Sequence, residues 1–245
     1  MTRSLRILEA VAQQQPVTVG ELAKHFGLPK STVQRTLVTL HEAGWLRASR
    51  GDTTRWEIGA RVLAVRPAAL QGASLFAAAR EPMERVRDEV NETVHLSVLD
   101  GLQGMVVVDR VDCDRAVRTF IEIGGTSPLH ATAVGQAVLA HLRANDVNEV
   151  VARGLESYGE ATVTDPDELR AKLAQVRSDG YAVNRNQYRA DVCAIAAPIL
   201  EADGTPLAAV AVSMPDSRFD EDRLPELGRL VAETAAEITA RRLSR

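Results

Sequence analysis

Along the amino-terminal segment, apolar positions recur at helical spacing. Leu5, Ile7, Leu8, Val11 and Ala12 write one apolar face, with Ser4 available as a cap and Gln13-Gln14-Gln15-Pro16 as the end. Thr18 precedes Glu21 at capping-box spacing and opens a short helix through Leu22-Ala23-Lys24-His25-Phe26, which Gly27 stops. After Leu28-Pro29, a further helix is predicted from Lys30 to Ala43, with Val33, Thr36, Leu37 and Leu40 inward and Gly44 as its stop. The pattern then becomes alternating. Trp45 to Ala48 and Arg55 to Gly59 flank Ser49-Arg50-Gly51-Asp52-Thr53-Thr54 and read as a hairpin. A short helix is expected over 60–65, closed by Arg66-Pro67, and Gln71-Gly72-Ala73-Ser74 marks a domain boundary.

Beyond that boundary, Leu75, Ala79, Met83, Val86 and Val90 line one side of a long helix that contains Pro82. Val94, Leu96 and Val98 then alternate with more polar residues, Asp100-Gly101-Leu102-Gln103-Gly104 turns the chain, and Met105 to Val111 returns. Val117 to Ile123 is expected as the next strand. Ile195 to Leu200, the turn Glu201-Ala202-Asp203-Gly204, and Leu207 to Met214 repeat the hairpin design. Helices over Thr132 to Arg143, Asp146 to Arg153, Pro166 to Asp179 and Asp220 to Arg242 intervene or close the chain. Hairpins with covering helices predict an antiparallel α+β domain, and no glycine-rich phosphate loop stands where a nucleotide needs one.

Composition adds exclusions. With 45% hydrophobic and 25% charged residues the chain is an ordinary globular protein, neither disordered nor fibrous. Cys113 and Cys193 stand far apart without a C-x-x-C pair, which speaks against a disulfide framework or a cysteine zinc site. His95, His130 and His141 lack metal-ligand spacing, so no metal or cofactor is expected. No apolar run of about 18 residues and no export signal is found, so a cytoplasmic location without membrane partners is expected.

Charge changes the picture more. The net charge of −4 hides a division: residues 1–70 carry ten Lys and Arg against five acids, and the remainder carries 19 against 28. A basic head on an acidic body suits a phosphate-binding module joined to a domain that binds something else. On the third helix Ser31, Thr32, Gln34, Arg35, Val38 and Thr39 lie opposite the core stripe. Gln pairs bidentately with adenine, Arg with guanine, and hydroxyls reach phosphate or base edges, so this face is the candidate reader of the DNA major groove. Thr18, Lys30 and the hairpin residues Arg47, Arg50 and Arg55 are the accompanying candidates for phosphate or minor groove. A merely solvated helix face and surface hairpin is the competing reading.

The segments "SLRILEAV", "VTVGELAKHFGLPKSTVQRTLVTLHEAGWL", "RWEIGARVLAV", "GGTSPLHATAVGQAVLAHL" and "GYAVNRNQYRADVCAIAAPI" together resemble the IclR-type bacterial transcriptional regulators over nearly the whole chain. The resemblance implies an α+β protein of two domains: a winged helix-turn-helix over 1–59, a linker helix and boundary over 60–73, and a GAF/PAS-like effector-binding and oligomerisation domain over 74–245. It also implies a small organic-acid effector, aromatic or short-chain, held near Thr119, Ala133, Val134, Asn184, Cys193, Ala211 and Ser213. The Gly124 to Gly135 stretch fits, since a flexible loop entering a helix start attracts carboxylates, though a tight turn without ligand has the same spacing. This chain departs from the family over Asn184-Arg185-Asn186-Gln187-Tyr188-Arg189-Ala190-Asp191, where many members carry acids and a glycine, and at Ala211, where a serine is usual. Arg185 or Arg189 is a candidate carboxylate partner; a surface role is the alternative for each.

The expected function is therefore a non-enzymatic, effector-responsive DNA-binding regulator of a nearby, catabolic operon. It would act as a homodimer or dimer of dimers on a pseudo-palindromic operator. A constitutive dimeric DNA binder, or an enzyme acting on a small carboxylate, remains the alternative. For the enzyme no converging His, Asp or nucleophile is found in the sequence.

Overall fold

The computed structural model of the chain describes residues 2–49, 53–62 and 73–244. Two compact units separate at Ala73 and Ser74. The expected hairpin tip at Gly51-Asp52, residues 63–65 of the helix expected over 60–65 with its closing Arg66-Pro67, and Gln71-Gly72 of the expected boundary lie outside the described residues.

The first unit is a three-helix module with a hairpin: α1 (Thr2–Gln14), α2 (Val19–Phe26), α3 (Lys30–Glu42), β1 (Leu46–Ala48) and β2 (Trp56–Ile58). α1 buries Ile7, Ala10 and Val11, whereas Leu5 is 53% exposed and Ala12 is exposed too. A helix turning about 100° per residue carries Leu5 and Ala12 away from the Ile7–Val11 stripe, so the expected face was phased wrongly. Ser4 lies inside α1 and not at its cap. α2 starts as expected: the Thr18 hydroxyl accepts from the Glu21 amide, and the Glu21 carboxylate accepts from the Thr18 amide at 2.7 Å. Gly27 ends it in the left-handed conformation, φ 61°. α3 buries Val33, Leu37 and Leu40 against α1 and α2, and the antiparallel β1–β2 hairpin closes the core with Leu46 and Trp56.

The second unit is built on an antiparallel six-stranded sheet of order β5-β4-β3-β8-β7-β6. Its strands are β3 (Thr93–Asp100), β4 (Gly104–Val111), β5 (Thr126–Ser127), β6 (Ala182–Arg185), β7 (Val192–Leu200) and β8 (Pro206–Pro215). Helices α4 (Ala73–Val90) and α8 (Leu224–Leu243) cover one face, and α5 (Ala133–Leu139) and α7 (Pro166–Asp179) cover the other, with α6 (Ala144–Ala152) beside them. Alternation sorts residues by size. Towards α4 and α8 point Val94, Leu96, Cys193, Ile195, Ile199, Val210, Val212 and Met214. From the same strands, Ala196, Ala209 and Ala211 pack with the opposite core. One face is tightly filled by large side chains, and the other is left shallow.

The strand expected from Val117 to Ile123 does not form; Val117 is 70% and Ile123 59% exposed. Short β5, farther along, pairs with β4 instead. The carbonyls of this unpaired segment are met by side chains: Arg218 donates to Val117 O, Arg189 to Phe120 O and Arg110 to Ile121 O. A strand missing from the sequence reading, β6, forms the far edge of the sheet.

Candidate functional site

In the first unit the exposed face of α3 carries Lys30, Ser31, Gln34, Arg35 and Thr39, with Thr32 half-buried beside them. The side chains of Lys30, Gln34 and Arg35 have no partner among the described residues, so their donors stay available. Thr32, Arg35, Thr36 and Thr39 share a groove with Thr2, Arg3 and Ser4 at the start of α1. Arg3 and Ser4 were missed as candidates; the signal was a basic residue in the first turn of a helix that packs against the reader. The other candidates are more committed. The Thr18 hydroxyl donates to the Glu21 carboxylate at 2.8 Å within the cap of α2. Arg47 is paired with Glu57 across the hairpin at 2.6 Å, and Arg55 donates to the Pro16 carbonyl at 3.1 Å. Arg50 lies outside the described residues.

In the second unit a cavity of about 290 Å³ opens on the shallow face of the sheet. It gathers Thr119, Ala133, Val134, Asn184, Ala211 and Ser213 from the sequence-derived set. Cys193 is the exception. Strand parity turns it to the face covered by α4 and α8, while its neighbours Val192 and Ala194 line the cavity. Its thiol donates to Asp216 at 3.0 Å, and burial together with that carboxylate pushes it up to about 12, so it stays protonated. Arg185 also points elsewhere: it pairs with Glu221 and lies over the Phe219 ring. Arg189 does line the cavity.

The walls are fixed from several sides. The Thr119 and Ser213 hydroxyls share a hydrogen bond of 3.0 Å, tying the unpaired segment to β8. The Asn184 amide donates to Ala131 O at 2.6 Å, and the Gln136 amide to His130 O at 2.6 Å and to Gln187 at 2.8 Å. These bonds hold the loop that enters α5. Thr132 caps that helix by accepting from the Gly135 amide at 3.1 Å. Gly135 is needed there: a Cβ would stand 2.3 Å from the Leu129 carbonyl oxygen.

Sequence reasoning missed Arg118, Phe120 and Tyr188 at the cavity, and the buried His95 and Ser127. Burial, reinforced by the nearby Arg110 charge, pushes His95 down to about 4, so its ring is neutral at ordinary pH. Among the described residues, neither His95 Nδ1 nor Ser127 Oγ has a hydrogen-bond partner. Among the described residues the lining includes two arginines and no carboxylate. The lining is therefore electropositive.

The family described as "Bacterial transcriptional regulator IclR C-terminal" matches residues 67–240, and the "IclR helix-turn-helix domain" matches residues 1–50. The chain belongs to the IclR family. It is 35% identical over 242 residues to the Transcriptional repressor IclR of Escherichia coli K12, covering 98% of this chain and 88% of that one. The Acetate operon repressor of Salmonella typhimurium is 34% identical, again over 98% and 88%. The crystal structure of an IclR homologue from Microbacterium hydrocarbonoxydans complexed with 4-hydroxybenzoate superposes with a TM-score of 0.80 at 28% identity, over 99% of this chain and 98% of that one. These relatives span both units, so the helix-turn-helix and the sheet domain with its cavity are both parts of the IclR fold. No helix among the described residues is long and apolar enough to cross a membrane.

Proposed function

We propose that this IclR-family chain is a transcriptional regulator that reads a pseudo-palindromic operator through the outer face of α3 and adjusts its grip to a small organic acid bound in the cavity of the sheet domain. The observation that carries the sensing half is the cavity itself: two arginines and no carboxylate on walls pinned by side-chain-to-carbonyl bonds. The unpartnered Lys30, Gln34 and Arg35 on α3 support the reading half, and the 4-hydroxybenzoate bound by the Microbacterium homologue supports an acid as effector. The relatives named repressors support repression as the mode of control; a dimer or dimer of dimers acting on an adjacent catabolic operon would present one α3 to each half-site.

Both halves are tested by gel shift on the DNA upstream of the chain's own gene. Arg35→Ala, with unchanged circular dichroism, is expected to lose about 1 to 3 kcal/mol of operator affinity. Wild-type affinity in that folded variant would remove α3 as the reader. A panel of organic acids is expected to shift the operator band at one member at least. An operator affinity indifferent to the whole panel would leave a constitutive DNA binder.

A further inference from the structure

No ladder holds the segment 115–123. The carbonyls of Val117, Phe120 and Ile121 accept from Arg218, Arg189 and Arg110, and the Thr119 hydroxyl meets that of Ser213. Among the described residues no amide from 115 to 123 donates a hydrogen bond. A strap held by side chains shifts at less cost than a strand paired along its edges. Its residues Arg118 to Ile121 line the cavity, so an occupant bears on it directly.

The near end of the strap is fastened to the carboxyl end of α4. Asn91 ends that helix in the left-handed conformation, φ 49°. Its carbonyl accepts from Arg115 at 2.9 Å, and its side-chain oxygen from the Asp114 amide at 3.4 Å. Glu92 follows and is only 4% exposed. A carboxylate so buried needs strong partners, and Arg218 supplies a two-pronged one, donating to its oxygens at 2.5 and 2.6 Å. The same guanidinium donates to Val117 O at 3.1 Å, so one arginine bonds strap and helix end together. Along the flank of α4, Arg80 and Arg87 donate to the carbonyls of Arg110 and Asp112. This polar seam is separate from the apolar face that α4 buries on the sheet with Met83 and Val86, and hydrogen bonds at a seam exchange without opening a core. From the joint α4 runs unbroken through Pro82 back to Ala73, where the two units divide.

We propose that Glu92 and Arg218 form the joint through which the strap over the cavity and α4 move together, carrying the state of the cavity to the domain boundary and so to the grip of α3 on DNA. This rests on the reading of the chain as a DNA-binding regulator with a sensing cavity. Both are positioning residues, for neither lines the cavity nor lies in the DNA-reading unit. Neither was among the positions implied by family resemblance. Coupling between two sites is reciprocal, so operator DNA must act on the strap through the same joint, with no acid added.

The test places a nitroxide spin label on the full-length protein at Val117→Cys, where the side chain is 70% exposed; Cys113 and Cys193 are buried and stay unlabelled. Addition of the DNA upstream of the chain's own gene is expected to change the label's electron paramagnetic resonance line shape. In Glu92→Gln that response should be lost. In Arg189→Gln, which frees the strap on the cavity side, the label should become more mobile while the response to DNA is retained. Loosening alone raises mobility in both variants, so loss in one and retention in the other separates the joint from a merely structural bond. A line shape indifferent to bound DNA without either substitution, or a response that persists in Glu92→Gln, would overturn the proposal and leave DNA reading intact. Where Glu92→Gln fails to fold, Arg115→Gln, at an exposed partner of the same joint, carries the comparison: its response should weaken, and an unchanged one overturns the joint. Gel shift on the same labelled samples detects a protein that binds no such DNA, which would remove the regulator reading and the proposal with it.

Discussion

His95 is the buried residue whose chemistry bears most directly on stability below neutral pH. Burial holds its imidazole near 4, against an ordinary value of 6.5, and Arg110 opposes the same proton. Between those values the unfolded chain binds a proton that the native ring refuses, so folding loses stability as pH falls from 6.5 towards 4. The full loss amounts to about 3 kcal/mol, and none of it is felt above neutrality. His141, half-buried and also lowered, adds in the same direction. Urea denaturation of wild type and His95→Gln across this pH range therefore isolates His95 by difference: the variant should show a distinctly flatter slope. Equal slopes would assign the acid sensitivity elsewhere. Individual cavity residues were only partly legible in the sequence. Thr119, Ala133 and Ser213 came with the family resemblance, but Cys193 depended on strand parity, which one wrong step reverses. Phe120, Tyr188, His95 and Ser127 carry no local signature, because what makes them matter is which distant segments meet over the sheet.

Elements were legible where their signals are local. The capping box at Thr18 and Glu21, and the Asp165-Pro166 start and Gly180 stop of α7, each sit within one turn of the helix end they define. The segment 117–123 misled because its residues have strand propensity, yet a strand also needs a neighbour with free ladder groups. β4 instead pairs with β5, and arginines take the segment's carbonyls. β6 was hidden for another reason: it is only four residues long and pairs with β7 alone, across a six-residue connection that is not a tight two-residue turn. Thr18 shows how an element reassigns a residue. As a DNA contact it should matter to operator affinity; as the cap of α2 it should matter to stability. Thr18→Ala is expected to lower stability by about 1 kcal/mol, and Thr18→Asp, which keeps a capping acceptor, should restore most of it. Chemical denaturation of both variants decides the point, and an unaffected Thr18→Ala would return the hydroxyl to the DNA candidates.

At the scale of the whole molecule, the division between a basic head and an acidic body matters only if the two act as one switch. Thermodynamic linkage makes that quantitative. If an organic acid in the cavity changes operator affinity by some factor, operator DNA must change the protein's affinity for that acid by the same factor. Coupling of this kind is typically about 1 to 3 kcal/mol, or roughly 5- to 150-fold. Operator titrations by fluorescence anisotropy, with and without a saturating organic acid that binds the protein, give one ratio; calorimetric titration of the same acid into free protein and into the operator complex gives the other. The two are expected to agree and to differ from unity. An acid that binds equally well on and off DNA has no differential affinity for the two states, and however tight its binding it can shift nothing. In that case the cavity would bind without regulating, and the control of the head would have to come through assembly of subunits instead.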